Sequence, residues 1–435
     1  MDTTMIVILI TMAVAVLLLS GVPVGFALGG AAVGGVIYLW GFKGLYMLAN
    51  SAYAEGTSSI LLAVPLFIFM ANVLKNTGLA DELYGIVYKW LGRVPGGLAA
   101  GTVVICAIFA AMAGISSVAT VSMGLIALPS MLKRGYNKEI ATGCISAGGA
   151  LGILIPPSII MIIYGSMAEV SIGQLFMGGL VPGILMAVIF CIYILVRSFF
   201  NPTLGPPVAE RYTLKEKLLS CKGVILPTLL IVLVLGSIYT GAATPTEAAG
   251  IGALGSLICA MIQRRATVKN IKEALLATVS LNAMVIWIVI GAVAFTHILA
   301  YAGVSDIVKQ AIDSLHVGRW WVLIGMQVTF FLLGMVLDPA GIIMLTTPVF
   351  IPLVRDLGFD PVWFGILFTI NMEMAYITPP FGFNLFIMKG VVPPGITMMD
   401  LYRSIVPFVA LQALCLIIIM VWPDLALWLP RLTGN

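Results

Sequence analysis

Apolar stretches of about 20 residues, the length of helix that crosses a bilayer core, follow one another along almost the whole chain. No other feature constrains the fold as strongly. Backbone placed in hydrocarbon must satisfy its own hydrogen bonds, so stretches of this length become helices. Composition agrees: 61% of residues are hydrophobic and 9% are charged, whereas soluble domains carry about 25% charged residues. The longest polar stretch, 201–222, is too short to form a soluble domain. The expected fold class is an all-α polytopic membrane protein. The opening segment 5–19 reads as a spanning helix rather than a cleaved signal. Asp2 stands where a basic cluster would be needed, and no small-residue cleavage motif follows. The six cysteines show no metal-type spacing and read as packing residues. The net charge of +4 flanks membrane segments and points to no nucleic-acid partner.

Spanning helices are expected near 5–20, 22–40, 58–75, 140–165, 174–198, 223–240, 245–262, 279–301, 362–388 and 401–428. Two apolar blocks, 97–132 and 319–353, are too long for one span and too short for two comfortable ones. The first breaks at Gly114-Ile115-Ser116-Ser117 and the second at Asp338-Pro339-Ala340-Gly341. Their shorter arms reach only about 20–24 Å at 1.5 Å per residue, less than a core of about 30 Å. Each block is expected to be a re-entrant hairpin; two thin spanning helices are the alternative. Residues 81–92 mix polar and aromatic positions and read as an interfacial arm helix.

An internal repeat divides the chain. Pro129, Gly135, Tyr136 and Pro156-Pro157 recur as Pro352, Gly358, Phe359 and Pro379-Pro380, all displaced by 223 residues. Gly78 and Asp81 match Gly303 and Asp306 with a displacement of 225. The expected organisation is a first repeat over 1–200, a cytoplasmic linker at 201–222 and a second repeat over 223–435. The positive-inside rule then orients the chain. With the linker in the cytoplasm, only Lys43, Lys309, Arg319, Arg355 and Arg431 of the 22 basic residues fall outside. This count puts the two hairpins on opposite sides, so the repeats are expected to be inverted, with both termini outward.

Inverted repeats with hairpins and broken helices describe secondary transporters, whose sites lie near the bilayer midplane. Each half offers a tip and a break. The tip Gly114-Ile-Ser-Ser-Val-Ala-Thr120 is paired with Gly152-Ile-Leu-Ile-Pro-Pro-Ser158, and Asp338-Pro-Ala-Gly341 with Thr378-Pro-Pro-Phe-Gly-Phe-Asn384. Prolines in mid-span free carbonyl groups, which are tolerated at depth only where buried in protein or lining a cavity. With Ser and Thr hydroxyls they make a hard oxygen site suited to an alkali cation. Taken singly, Ser116, Ser117, Thr120 and Ser158 read as readily as helix glue. Asp338 is an intramembrane carboxylate, a type of group that is costly and usually functional. It also reads as an N-cap for the returning arm. No Lys or Arg lies within 94–132, 139–196 or 356–388. An anion held there must be neutralised by helix N-termini and co-bound cations. No chain of Asp, Glu and His forms a proton relay, which favours sodium. No Gly-Lys dipeptide occurs, so a Walker A loop is absent. Glu247 in Thr244-Pro-Thr-Glu247 reads first as a helix cap, and Gly21, Gly25 and Gly29 as a close-packing face.

Ala63-Val-Pro-Leu-Phe-Ile-Phe-Met70, the Gly114–Thr120 tip, Leu128-Pro-Ser-Met-Leu-Lys-Arg-Gly-Tyr136, Ile155-Pro-Pro-Ser158, Pro182-Gly183, Thr244-Pro-Thr-Glu247, Asp360-Pro361 and Ile377-Thr-Pro-Pro380 together resemble the large membrane subunit of TRAP transporters. These are the tripartite ATP-independent periplasmic transporters of bacteria and archaea, and the motifs occur in order over nearly the whole chain. The resemblance implies a subunit of the cytoplasmic membrane that imports small organic acids such as C4-dicarboxylates or sialic acids. It implies sodium coupling, with no other cofactor, and an elevator motion of a transport domain against a scaffold. It further implies two separate partners, a small four-helix membrane subunit and a periplasmic binding protein. Carried onto this chain, one sodium site falls at Gly114, Ser116, Ser117, Thr120, Gly152, Pro156 and Ser158. A second falls at Asp338, Gly341, Thr378, Pro379 and Gly382, with substrate between them near Ser116, Pro157, Pro380 and Asn384. The second tip has no hydroxyl of its own, so its ion would lean on carbonyls, Asp338 and Thr378. The rival readings are a stand-alone sodium–carboxylate carrier or anion exchanger, an intramembrane aspartyl protease, and a purely structural subunit. The protease needs two facing carboxylates, and only Glu169 and Glu373 are available to Asp338.

Overall fold

The computed structural model describes residues 3–114, 116–301, 303–335, 337–380 and 382–432. Asp2, Ile115 of the first tip motif, Phe381 of the second break and the side chain of Asp306 lie outside the described residues. The chain opens with α1 (Thr3–Leu19), α2 (Val24–Trp40), α3 (Leu45–Gly56), α4 (Ala63–Asn76) and α5 (Leu79–Leu91). Two packed arms follow, α6 (Gly97–Ala113) and α7 (Ser116–Lys133), then the broken pair α8 (Lys138–Ala150) and α9 (Ile159–Ala168), then α10 (Ile172–Phe200). The middle of the chain holds α11 (Leu214–Ser220), α12 (Ile225–Tyr239), α13 (Pro245–Ile262), α14 (Val268–Tyr301) and α15 (Val304–Leu315). Arms and a broken pair then recur as α16 (Arg319–Gly334), α17 (Pro339–Asp356), α18 (Pro361–Tyr376) and α19 (Phe383–Val391), followed by α20 (Met398–Val421) and α21 (Asp424–Leu432).

Among the described residues, six helical runs are long and apolar enough to cross a membrane, or seven if α4 and α5, bent by 62°, are counted as one span. One of the six is α7, whereas α6 is apolar but shorter, so length alone permits the second arm of this pair to span as well as to re-enter. Several helices depart from the expected boundaries, and α3 and α15 fall where no helix is expected. α14 starts at Val268, about three turns before the apolar run. The last segment divides at Trp422-Pro423. The polar linker contains α11, started by a Thr213–Glu216 capping box.

Local chemistry explains most of the breaks. Gly78, Gly135, Gly303 and Gly358 have φ of +73°, +78°, +61° and +71°, so the repeated glycines occupy left-handed turns that L-residues avoid. Asn137 and Asp360 cap α8 and α18, each accepting from two backbone N–H groups. Thr244 and Glu247 form a capping box on α13, the bland reading of Glu247.

The helices gather into two groups. In one, α2 lies along α14, where Gly25, Gly29 and Gly291 allow backbone contact; a Cβ on Gly291 would stand 2.5 Å from the Gly25 carbonyl oxygen. Asn72 of α4 donates to Thr278 of α14 at 3.4 Å, and Met70 packs over Gly252 of α13. The other group holds the arm pairs, the broken pairs, α10 and α20. At one end of this group Lys138 pairs with Asp400 at 2.7 Å. Near the base of the first arm pair, Arg134 donates to Tyr88, which donates to Glu210, both at 3.0 Å. Hydrogen bonds from Tyr212 and then Tyr88 hold the Glu210 carboxyl below its ordinary range. Arg355, at the base of the second arm pair, instead donates to the carbonyl of Ala168, where α9 ends.

Candidate functional site

The two tips meet. A cavity of about 110 Å³ is bounded by Gly114, Ser116 and Ser117 from the first tip and by Asp338, Pro339 and Ala340 from the second. Its far wall is α14, through Leu281, Met284, Val285 and Ile288, together with Ile68 of α4. The cavity therefore sits where the two helix groups face each other.

Four helix N-termini converge on it. α7 begins at Ser116, α17 at Pro339, α9 at Ile159 and α19 at Phe383, and all four of these residues line the cavity. The N-terminus of a helix presents free N–H groups and roughly half a positive charge. Among the described residues no lysine or arginine lines the cavity. Among the described lining residues, positive charge comes only from the helix N-termini.

The first tip is fixed by its own break. Gly114 has φ +58°, and a Cβ there would lie 2.3 Å from the Pro157 carbonyl oxygen. Pro156, Pro157 and Gly152 are buried behind it. Ser116 is 2% exposed, and its hydroxyl has no hydrogen-bond partner. A buried hydroxyl in that condition costs about 1–3 kcal/mol until something pairs with it. Ser117 is half-buried on the same wall. Thr120 turns away: its hydroxyl donates to the Ser116 carbonyl at 3.2 Å and lies against Gly149 of α8. Ser158 is the N-cap of α9, donating to the Ile153 carbonyl at 2.5 Å and accepting from Met161.

At the second tip Asp338 caps α17, its Oδ1 accepting from the Gly341 N–H at 2.9 Å, while the residue also lines the cavity. The capping reading and the site reading are thus compatible. Gly341 packs against Val24 of α2. Thr378 donates to the Met374 carbonyl at 2.7 Å and does not reach the cavity. Pro379 is half-buried, and Gly382 makes the left-handed turn that starts α19. Pro380 is exposed, and its carbonyl accepts from Tyr402 at 3.1 Å. Asn384 is fully buried and donates to the Ser146 carbonyl of α8 at 3.2 Å, so it ties the two broken pairs together instead of lining the cavity. Of the expected residues, Gly114, Ser116, Ser117 and Asp338 share the cavity, and the remainder support it from behind or lie apart.

Sequence reasoning missed Tyr376 and Phe383, whose rings lie 5.2 Å apart at the cavity edge. It also missed the α14 wall. No local signal marks either, because both depend on how the groups pack.

The chain matches the profile of the tripartite ATP-independent periplasmic transporter DctM component over residues 11–425. It belongs to this family. It is 33% identical to the C4-dicarboxylate TRAP transporter large permease protein of Pseudomonas aeruginosa, over 89% of this chain and 90% of that one. It is 31% identical to the ectoine TRAP transporter large permease of Halomonas elongata, over 95% and 96%. It is 32% identical to the isethionate TRAP transporter permease DctMQ of Oleidesulfovibrio alaskensis, over 93% of this chain and 63% of that protein. In fold it is similar to the YdaH transporter of Alcanivorax borkumensis, with a TM-score of 0.65 at 17% identity over 90% of each chain. The chain is a TRAP large permease subunit, a polytopic membrane transport protein and not an enzyme.

Proposed function

We propose that this TRAP permease subunit imports a small organic acid, coupled to sodium, through the cavity between the two tips. One observation carries the reading: four helix N-termini and the carboxylate of Asp338 face a single cavity without a basic side chain. The N-termini suit an anionic head group. A substrate carboxylate and Asp338 at such close quarters repel one another unless a cation lies between them, and the unpartnered Ser116 hydroxyl is an oxygen ligand available to it. Inside-negative potential opposes anion entry by about 2.3 kcal/mol per charge per 100 mV, so co-entry of more than one sodium ion per carboxylate charge reverses the sign of that work.

The tips and broken pairs form the transport domain, with one sodium at each tip, and α2, α4, α13 and α14 belong to the scaffold. An elevator motion slides one against the other. Placement of the hairpin bases supports inverted repeats. The first base, at the end of α7, leads into the start of α8 at Lys138, and the second, through Arg355, lies beside Ala168, where α9 ends. The relatives are named for C4-dicarboxylates, ectoine and isethionate; the proposed acid is a C4-dicarboxylate, a sialic acid or a related carboxylate. The partners are a small membrane subunit, which the DctMQ name joins to its permease in one relative, and a periplasmic binding protein. The complex lies in the cytoplasmic membrane.

The test is uptake of radiolabelled acids into proteoliposomes containing this chain and both partners. Uptake is expected to require an inward sodium gradient and the binding protein. Uptake that needs neither overturns the tripartite reading in favour of a stand-alone carrier.

A further inference from the structure

Helix α18 carries a carboxylate that the tip cavity does not use. Glu373 is 0% exposed, lies outside the cavity lining, and neither of its oxygens has a hydrogen-bond partner. Gln412 of α20 is equally buried, and both polar atoms of its amide are also without partners. The amide is close enough to act on the carboxyl. Nearly all buried polar groups in folded proteins are paired, and carboxylates at membrane depth are paired or functional. Four buried polar atoms short of partners on two packed helices therefore mark a place built to hold something.

Cations on helices packed around α18 point elsewhere: Arg403 of α20 is exposed, Arg197 of α10 donates to Tyr193, and Arg431 of α21 pairs with Asp424. Lys138 of α8 pairs with Asp400, Arg355 of α17 with the Ala168 carbonyl and Lys389 of α19 with the Ile396 carbonyl. Arg319 of α16 lies over the rings of Trp320 and Phe359. Of the nearby titratable groups, the Cys415 thiol on α20 is the one that senses Glu373, and it brings no positive charge. Compensation must come from a bound ion. A divalent ion would leave a net positive charge in the interior, which burial penalises as severely as the bare carboxylate; a monovalent ion leaves the site neutral.

We infer that Glu373 and Gln412 form a binding site for one monovalent cation, a proton or a sodium ion, in the body of the second broken pair. The Glu373 oxygens supply the charge, and Gln412 Oε1 supplies a neutral oxygen ligand or, for a proton, its acceptor. This site is separate from the tip cavity, and its test does not require that any acid be transported.

The complex in detergent, carrying wild-type chain, Glu373→Gln or Gln412→Leu, is assayed by equilibrium sodium-22 binding and by infrared difference spectroscopy on proton–deuterium exchange. If sodium is the occupant, Glu373→Gln binds one ion fewer per chain, and Gln412→Leu weakens binding roughly tenfold, as loss of a supporting ligand does. If the occupant is a proton, the sodium count stays unchanged and wild type shows a protonated-carboxyl band. That band is absent from Glu373→Gln and shifted in Gln412→Leu. An unchanged sodium count together with no such band overturns the site. Glu373→Gln keeps the volume and is neutral; should it fail to assemble, Gln412→Leu supplies the same two readouts.

Discussion

The two tips share a plan and differ in chemistry. Each is a helix end, a break and a helix start, and each reaches the same cavity. The first offers Ser116 and Ser117, with one buried hydroxyl unpartnered. The second offers a carboxylate already engaged in capping its own helix. Their supports differ as well. Gly114 is pinned by a backbone carbonyl of its own half, whereas Gly341 rests on the side chain of Val24 in the opposite helix group. The two tips are thus alike in backbone and unlike in charge, with the neutral tip set against backbone and the charged tip against a side chain.

The largest expected effect breaks the comparison at its supports. Gly114→Ala must adopt φ +58° and meet the Pro157 carbonyl at 2.3 Å; the left-handed backbone alone costs about 1–2 kcal/mol. Uptake should vanish and the melting temperature in detergent should fall. Gly341→Ala meets Val24 Cγ1 at 2.7 Å, a side-chain methyl rather than a backbone carbonyl, and needs no left-handed backbone, so it should be milder. Equal damage from the two would erase the distinction.

Next comes the charge. Asp338→Asn keeps a capping oxygen, because Asn and Asp cap about equally well, so the melting temperature should stay close to that of wild type. The sodium concentration for half-maximal uptake should rise at least about tenfold, the usual scale for a lost ligand contact. Unchanged sodium dependence would reduce Asp338 to a cap. The smallest effect belongs to Ser116→Ala, which removes an unpaired hydroxyl and should leave the melting temperature level or slightly higher. Sodium dependence should weaken several-fold, and a stability loss of about 1 kcal/mol or more would instead make Ser116 helix glue.

Much of this was legible in the chain. Glycine and proline marked the breaks because their backbones permit little else, and apolar runs marked the longer helices. The dual character of Asp338 was readable from Asp-Pro at a helix start. Polar helices were harder: α3, α11 and the first three turns of α14 carry no long apolar run. Site membership was read only in part. Thr378 and Asn384 lie in the correct break, yet their side chains turn to Met374 and Ser146, since direction within a broken helix is set by packing. The meeting of four N-termini joins residues as far apart as Ser116 and Phe383, beyond the range of any local pattern.

Under the proposed elevator motion, the bend between α4 and α5 has a mechanical meaning. α4 is fastened to one helix group through Asn72 and Met70, while α5 lies on α6, with Val87 against Gly101, in the other. Only Thr77 and Gly78 join them, a tether that pays out no more than about 7 Å. A longer stroke must come from α5 swinging as a crank about Gly78. Its 13 residues make a lever of about 20 Å, so a modest change of angle at one glycine becomes a stroke of membrane scale at the far end.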